Sequence, residues 1–176
     1  LMGDTNESSV WSKLYTELKG VFYTKSGRRL RSSISLIDSG FNKERVYSFV
    51  RLDSRFFASK GASESEAKKD FINPSKKVAQ GVRLFSIGTY AGKSEVFKLL
   101  RVSEAGAGFC HFNESYSLEY FRQLTSEKLV KTKTPRGYTT HRWEKIRERN
   151  EALDLFVLCL AGAKIMRLDS MIVAPK

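Results

Sequence analysis

Between Ile34 and Lys60 the chain spells strand, helix, strand, and that order leaves few folds open. Ile34-Ser35-Leu36-Ile37-Asp38 is a short, nearly continuous apolar run that ends in Asp-Ser-Gly. This is the pattern of a buried strand whose last residue emerges at its carboxyl end. The spacing of Val46, Tyr47, Phe49 and Val50 predicts a helix from Asn42 to Arg51. Arg55 to Ser59 then reads as a second strand, closed by Lys60-Gly61. Strand, helix, strand implies a parallel pair joined by a right-handed crossover. In such sheets chemistry gathers at the carboxyl ends of the strands. Asp38 and Lys60 both stand there, although an Asp at a strand end is often only a turn former or helix cap.

The remaining segments extend this α/β pattern. Val10, Trp11, Leu14 and Leu18 mark a first helix, with Ser8 or Ser9 as its cap and Gly20 near its end. Ala62 to Gln80 is polar and lysine-rich and reads as a long loop. A third strand is expected over Val82–Ile87, a turn over Gly88–Lys93 and a helix over Ser94–Arg101. A short strand follows at Phe109–Phe112, a short helix at Leu118–Leu124 and a turn at Ser126–Val130. Lys131 to Trp143 has the form of a basic hairpin, with Thr134-Pro135-Arg136-Gly137 as its turn. The last helix is expected from Glu144 or Arg149 to Arg167. A chain of 176 residues can bury one proper core, so residues 1–176 read as a single domain.

The charge narrows the choice of partner. The net charge is +12, and the 22 residues from Lys128 to Arg149 carry eight Lys or Arg against two Glu. Such clustering favours a polyanion, with nucleic acid first, over a basic face that only aids solubility. The longest apolar run, Leu153 to Met166, holds Asp154 and Lys164, so no membrane span is expected. The opening Leu-Met-Gly-Asp-Thr-Asn-Glu lacks the basic-then-apolar order of a signal peptide. Cys110 and Cys159 lie in apolar segments and read as reduced core residues rather than a disulfide framework.

Asp154 is the most conspicuous acid. It interrupts the helical apolar stripe of Leu153, Phe156, Val157 and Leu160, with Glu151 one turn earlier. A carboxylate in such a run needs a cation, as a bound metal or as a nearby arginine, and the residues alone leave both open. Gly88-Thr89-Tyr90-Ala91-Gly92-Lys93-Ser94 resembles a phosphate-binding P-loop but has three residues between its glycine and Gly-Lys-Ser. The P-loop needs four, so that successive amides wrap the phosphates; an ATP site is not expected, and Lys93 is left as a possible DNA contact. His111 and His141 have no Cys or His at zinc spacing. What remains is Asp38, Glu151 and Asp154 beside a basic hairpin. Converging carboxylates of this kind can hold two Mg²⁺ or Mn²⁺ ions about 4 Å apart and activate water toward a phosphodiester. A basic track brings in the backbone without selecting sequence.

The ordered series Trp11…Leu14…Leu18, Ile37-Asp38-Ser39-Gly40, Lys60-Gly61, Ile87-Gly88-Thr89, Cys110-His111-Phe112, Gln123-Leu124-Thr125-Ser126-Glu127 and Arg149-Asn150-Glu151-Ala152-Leu153-Asp154 resembles the nuclease region of the large terminase subunit of lambda-type tailed phages. The resemblance implies a ribonuclease H-like fold and a metal-dependent endonuclease that cuts concatemeric double-stranded viral DNA during genome packaging, with Mg²⁺ or Mn²⁺ as cofactor. It implies Asp38, Asp154 and neighbouring Glu151 as metal carboxylates, with Lys60 touching phosphate or orienting a ligand. Lys131, Lys133, Arg136, Arg142, Lys145 and Arg149 are the expected DNA contacts. The implied partners are double-stranded DNA, other terminase subunits and the portal, in the cytoplasm of a bacterial host. The family also carries a packaging ATPase domain and an upstream hairpin with a first catalytic Asp. Neither matches this sequence, and Asp4, at a helix entrance, does not fill that role. The chain therefore reads as the C-terminal part of the nuclease domain, with weak activity alone. The rival reading is a non-catalytic DNA-binding remnant of a truncated prophage terminase.

Overall fold

A computed structural model describes residues 3–62, 70–78 and 81–168. Helix α1 (Ser8–Lys19) leads into a two-residue ribbon, β1 (Phe22–Tyr23) against β2 (Arg29–Leu30). The expected βαβ unit follows as β3 (Ser35–Asp38), α2 (Lys43–Val50) and β4 (Phe56–Gly61), and the two strands are parallel. Strand β5 (Ile72–Lys77) precedes β6 (Arg83–Ile87) and α3 (Thr89–Leu99). After α4 (Leu118–Leu124) come the hairpin strands β7 (Glu127–Lys133) and β8 (Thr139–Lys145), then α5 (Glu151–Ile165). The main sheet runs β3-β4-β6-β5, with β3, β4 and β6 parallel and β5 antiparallel at the edge. The α/β pattern stands, as a mixed sheet flanked by helices, and its antiparallel edge strand comes from the segment read as a loop.

Side-chain alternation along the strands splits the apolar residues between two cores. Ile37, Phe56, Ala58 and Leu84 face Val46, Tyr47, Phe49 and Val50 of α2 and the apolar edge of α1. Leu36, Phe57, Phe85 and Ile87 face Val96, Leu124, Leu153, Val157 and Ala161 of α3, α4 and α5. Near the amino end of the sheet, Asp53 accepts from Lys19 at 2.8 Å and from both Nε and Nη2 of Arg55. These donors hold its carboxyl well below the ordinary 3.8 and pin α1 to the start of β4.

Helix α5 runs opposite to the parallel strands. Its late residue Gly162 lies against Ile34, just before β3, where an added Cβ would stand 3.2 Å from Ile34 Cγ2. Its earlier residue Val157 lies against Gly92, in the first turn of α3 after the carboxyl end of β6. The eight residues back from Gly162 to Asp154 cover about 12 Å of helix. The four from Ile34 to Asp38 cover about 13 Å of strand. Asp154 and Asp38 therefore stand at the same end of the sheet.

Several local expectations change. Glu7, not Ser8 or Ser9, occupies the cap of α1, without a side-chain hydrogen bond. The segment expected to be a loop contains β5, which pairs with β6 through a register shift between Asn73 and Lys76; residues 63–69, 79 and 80 lie outside the described set. Phe109–Phe112 is not a strand, because Phe112 turns its ring into a cluster with Tyr120, Phe121 and Phe156. The apolar run docks onto α4 and α5 instead of pairing its backbone. Ser126–Val130 is not a turn: from Glu127 onward it is the first hairpin strand, and β8 continues to Lys145, so α5 starts only at Glu151. Cys159 is exposed and Cys110 half-buried, and both are free thiols.

The turn expected at Gly88–Lys93 is already helix, since α3 begins at Thr89. Its glycine serves packing. A Cβ on Gly92 would fall 2.6 Å from Phe71 Cε2 and 2.7 Å from Val157 Cγ1. The P-loop-like spelling thus reflects close approach of α3 to α5. Gly92→Ala is expected to cost about 1–3 kcal/mol through overpacking. Urea unfolding checks this, and an unchanged midpoint would contradict the packing role.

Candidate functional site

Asp38 closes β3 with its carboxylate exposed. Its Oδ1 accepts from the Gly40 amide at 3.1 Å. Ser39, buried beside it, locks the strand end by donating from both N and Oγ to the Ser59 carbonyl. Asp38 shares the alternation of Leu36, so it lies on the α5 side of the sheet. Lys60 closes β4 but shares the alternation of Ala58, so its Cβ points to the α2 side. The fold puts these two residues at one edge and on opposite faces.

Asp154 sits in the first turn of α5, with its side chain 53% exposed. It is not the buried acid that the apolar run suggested, because the buried stripe is Ala152, Leu153, Val157 and Ala161. Its neighbour is not Glu151, which turns to solvent with Arg149 Nε at 3.4 Å. The residues that converge on Asp154 are Lys93, Glu127, Asn150 and Lys145. Glu127, the first residue of β7, has a side chain only 3% exposed. Lys93 Nζ donates to its two oxygens at 2.7 and 2.8 Å and stands 3.7 Å from Asp154 Oδ1. Asn150 Nδ2 donates to Glu127 Oε1 at 3.0 Å and to Asp154 Oδ2 at 2.9 Å. Lys145 Nζ donates to Asn150 Oδ1 at 2.8 Å. Partial burial pushes the Asp154 carboxyl above its ordinary range; Lys93, Lys145 and the Asn150 bond oppose that rise and Glu127 adds to it.

No local spacing in the sequence marks this group. Lys93, an expected DNA contact, is engaged in an internal ion pair with Glu127. Glu127 and Asn150 were present in the two runs that carry the family resemblance, and their place there was the available signal. The expected DNA contacts divide. Cross-strand register puts Lys131 and Lys133 on the hairpin face that carries Leu129 and Trp143, and Arg142 on the other face. Trp143 anchors that face to α3, stacking on Phe97 at 4.8 Å and donating Nε1 to the Tyr90 carbonyl. Arg136 lies in the turn, where Gly137 takes a left-handed φ of 82°. Lys145 is held by Asn150 and Arg149 faces Glu151.

The donor chemistry bears on a metal. Glu127 is buried and accepts three hydrogen bonds from Lys93 and Asn150, whereas Asp38 and Asp154 are exposed and each accepts one, Asp38 on the α5 face. Two buried hydroxyls at this end, Ser59 Oγ opposite Asp38 and Ser126 Oγ beside Glu127, have no hydrogen-bond partner among the described residues. A buried hydroxyl left so costs about 1–3 kcal/mol unless a small polar species meets it. These are hard oxygen donors, which suit Mg²⁺ or Mn²⁺. Among the described residues, however, no three His, Cys, Asp or Glu side chains are grouped to hold an ion unaided.

Removing Lys93 leaves Glu127 charged in a site that water does not reach. Lys93→Met is therefore expected to destabilise the fold by about 3–5 kcal/mol, and Glu127→Gln on that background to recover part of it. Chemical unfolding of the single and double variants reads this; a loss near zero would show the pair to be solvated.

The chain matches the family model "Terminase large subunit gpA, endonuclease domain" over residues 1–173. The large terminase subunit of Escherichia phage lambda is 33% identical to it over 99 residues, which span 52% of this chain and 15% of that protein. No solved structure matches it. Among the described residues no helix is long and apolar enough to cross a membrane. With a family match over almost its whole length, the chain belongs to the endonuclease-domain family of the terminase large subunit.

Proposed function

We propose that this domain is a divalent-metal-dependent endonuclease that cuts concatemeric double-stranded viral DNA during phage genome packaging. The observation that carries the reading is the shared address of Asp38 and Asp154, at the carboxyl ends of the parallel strands and beside a basic hairpin. Family membership supports the DNA-packaging nuclease role. The three parallel strands and the C-terminal helix laid antiparallel across them are compatible with a ribonuclease H-like fold.

In this reading Asp38 and Asp154 hold Mg²⁺ or Mn²⁺. A bound divalent ion lowers the pKa of an attacking water and stabilises the leaving oxygen of a phosphodiester. Lys93 stays on Glu127, 3.7 Å from Asp154 Oδ1. Lys131 and Lys133 track the phosphate backbone from one hairpin face, with Arg136 at the tip and Arg142 behind. Glu151 and Arg149 lie outside the cluster and have a minor part, and Lys60, on the far face, reaches DNA rather than the ion. The domain works within a larger motor, with other terminase subunits and the portal as partners in the host cytoplasm.

A second reading, a DNA-binding remnant without catalysis, is favoured by one observation: the described residues hold no group of three metal-ligating side chains. Plasmid nicking in Mn²⁺ separates the two. Nicking that both Asp38→Asn and Asp154→Asn abolish is the expected result. DNA retention at low salt with no nicking would leave the binding remnant, and nicking that survives both substitutions would place the chemistry elsewhere.

A further inference from the structure

Asn150 stands where the hairpin and the acidic helix meet. Glu127 and Lys145 are register partners, the first residue of β7 and the last of β8. Both strands of the hairpin therefore end on the same amide. Glu127 accepts from Asn150 Nδ2, and Lys145 donates to Asn150 Oδ1. The same Nδ2 donates to Asp154 Oδ2. Asn150 is only 9% exposed, and with contacts at both ends its amide cannot flip without losing bonds on each side.

The chemistry of an amide suits this place. A neutral donor can bridge two carboxylates and fix the rotamer of Asp154 while leaving its charge available. A lysine or arginine there would neutralise the acid, and an aliphatic residue would leave two neighbouring carboxylates to repel. Orientation of the amide depends on the ammonium of Lys145, which marks the oxygen end, and on Glu127, which marks the nitrogen end. By register Lys145 shares the hairpin face of Lys131 and Lys133, but it stands at the root of the hairpin and its ammonium donates to Asn150 Oδ1.

We propose that Asn150 is a positioning residue for Asp154 and that Lys145 acts through Asn150, as the clamp on its amide, rather than as a phosphate contact. The proposal rests on the reading of Asp154 as a metal-holding acid. It separates the basic run into two kinds of lysine: Lys131 and Lys133 meet the backbone of DNA, and Lys145 serves the acidic helix.

Two measurements on the whole chain test it. The first is the salt dependence of duplex binding in Ca²⁺-free and Mn²⁺-free buffer. Each lost phosphate contact lowers the slope of log K against log salt by about 0.9. Lys131→Gln is expected to lower it by that amount, and Lys145→Gln to leave it unchanged. The second is calorimetric titration with Mn²⁺, without DNA. Asn150→Ala and Lys145→Gln are expected to weaken Mn²⁺ binding about 10- to 100-fold, as loss of a residue that orients a ligand does, with Lys145→Arg recovering most of it. Lys131→Gln is expected to leave Mn²⁺ binding alone. Lys145 is exposed at the surface, so its variants keep the test open if Asn150→Ala fails to fold. A lowered salt slope for Lys145→Gln overturns the proposal. So does Mn²⁺ binding untouched by Lys145→Gln in a chain where Asp154→Asn weakens it. Mn²⁺ binding that Asp154→Asn itself leaves unchanged overturns the metal reading, and the positioning role falls with it.

Discussion

The buried pair of Lys93 and Glu127 is the interaction on which the arrangement depends. It joins three elements that are distant in sequence: α3, the root of the β7–β8 hairpin and, through Asn150, the start of α5. Neither charge can be stranded in that place, so the hairpin and the helix hold one relative position. The pair has a second effect. It keeps Glu127 buried with three hydrogen bonds from Lys93 and Asn150, while Asp154, 3.7 Å from the same ammonium, remains half-exposed. A single lysine thereby sorts two neighbouring acids into a structural one and an available one.

Alternation along the strands does the rest of the sorting. Asp38 falls on the face covered by α5, and Lys60, one strand across, falls on the face covered by α2. A shift of one residue in the pairing of β3 with β4 would turn Asp38 to the face that carries Lys60. Ser39 prevents that shift, because its backbone and hydroxyl both donate to the Ser59 carbonyl just beyond Asp38. The strand end is thus held by short-range bonds while the carboxylate stays free.

Much of this was readable in the residues. The βαβ unit was plain because Ile34–Asp38 and Arg55–Ser59 are short apolar runs separated by one helical repeat, and local pattern decides such units. Thr134-Pro135-Arg136-Gly137 marked the hairpin turn for the same reason, since the turn needs a left-handed residue and has Gly137. The first hairpin strand was hidden because Glu127 and Lys128 look like solvent-facing turn residues, and the burial of Glu127 comes from a lysine 34 positions earlier. Lys93 was hidden in turn behind a glycine spelling that suggests phosphate. Glu151 shows the limit of spacing from the other side. One helical turn from Asp154 is the right spacing for two ligands, but the spacing does not say which face is open, and Arg149 draws Glu151 away. The strand-end Asp38 was legible from local pattern, and the network around Asp154 was legible only once tertiary contacts were known.

The most direct measurement is the anomalous diffraction of a crystal of this chain soaked in Mn²⁺. The expected result is a Mn²⁺ peak within direct coordination distance of the Asp38 and Asp154 carboxylates, with Lys93 still on Glu127. A peak bound by other residues, or ordered Asp38 and Asp154 carboxylates with no ion at a saturating concentration, would contradict a metal centre at this edge of the sheet.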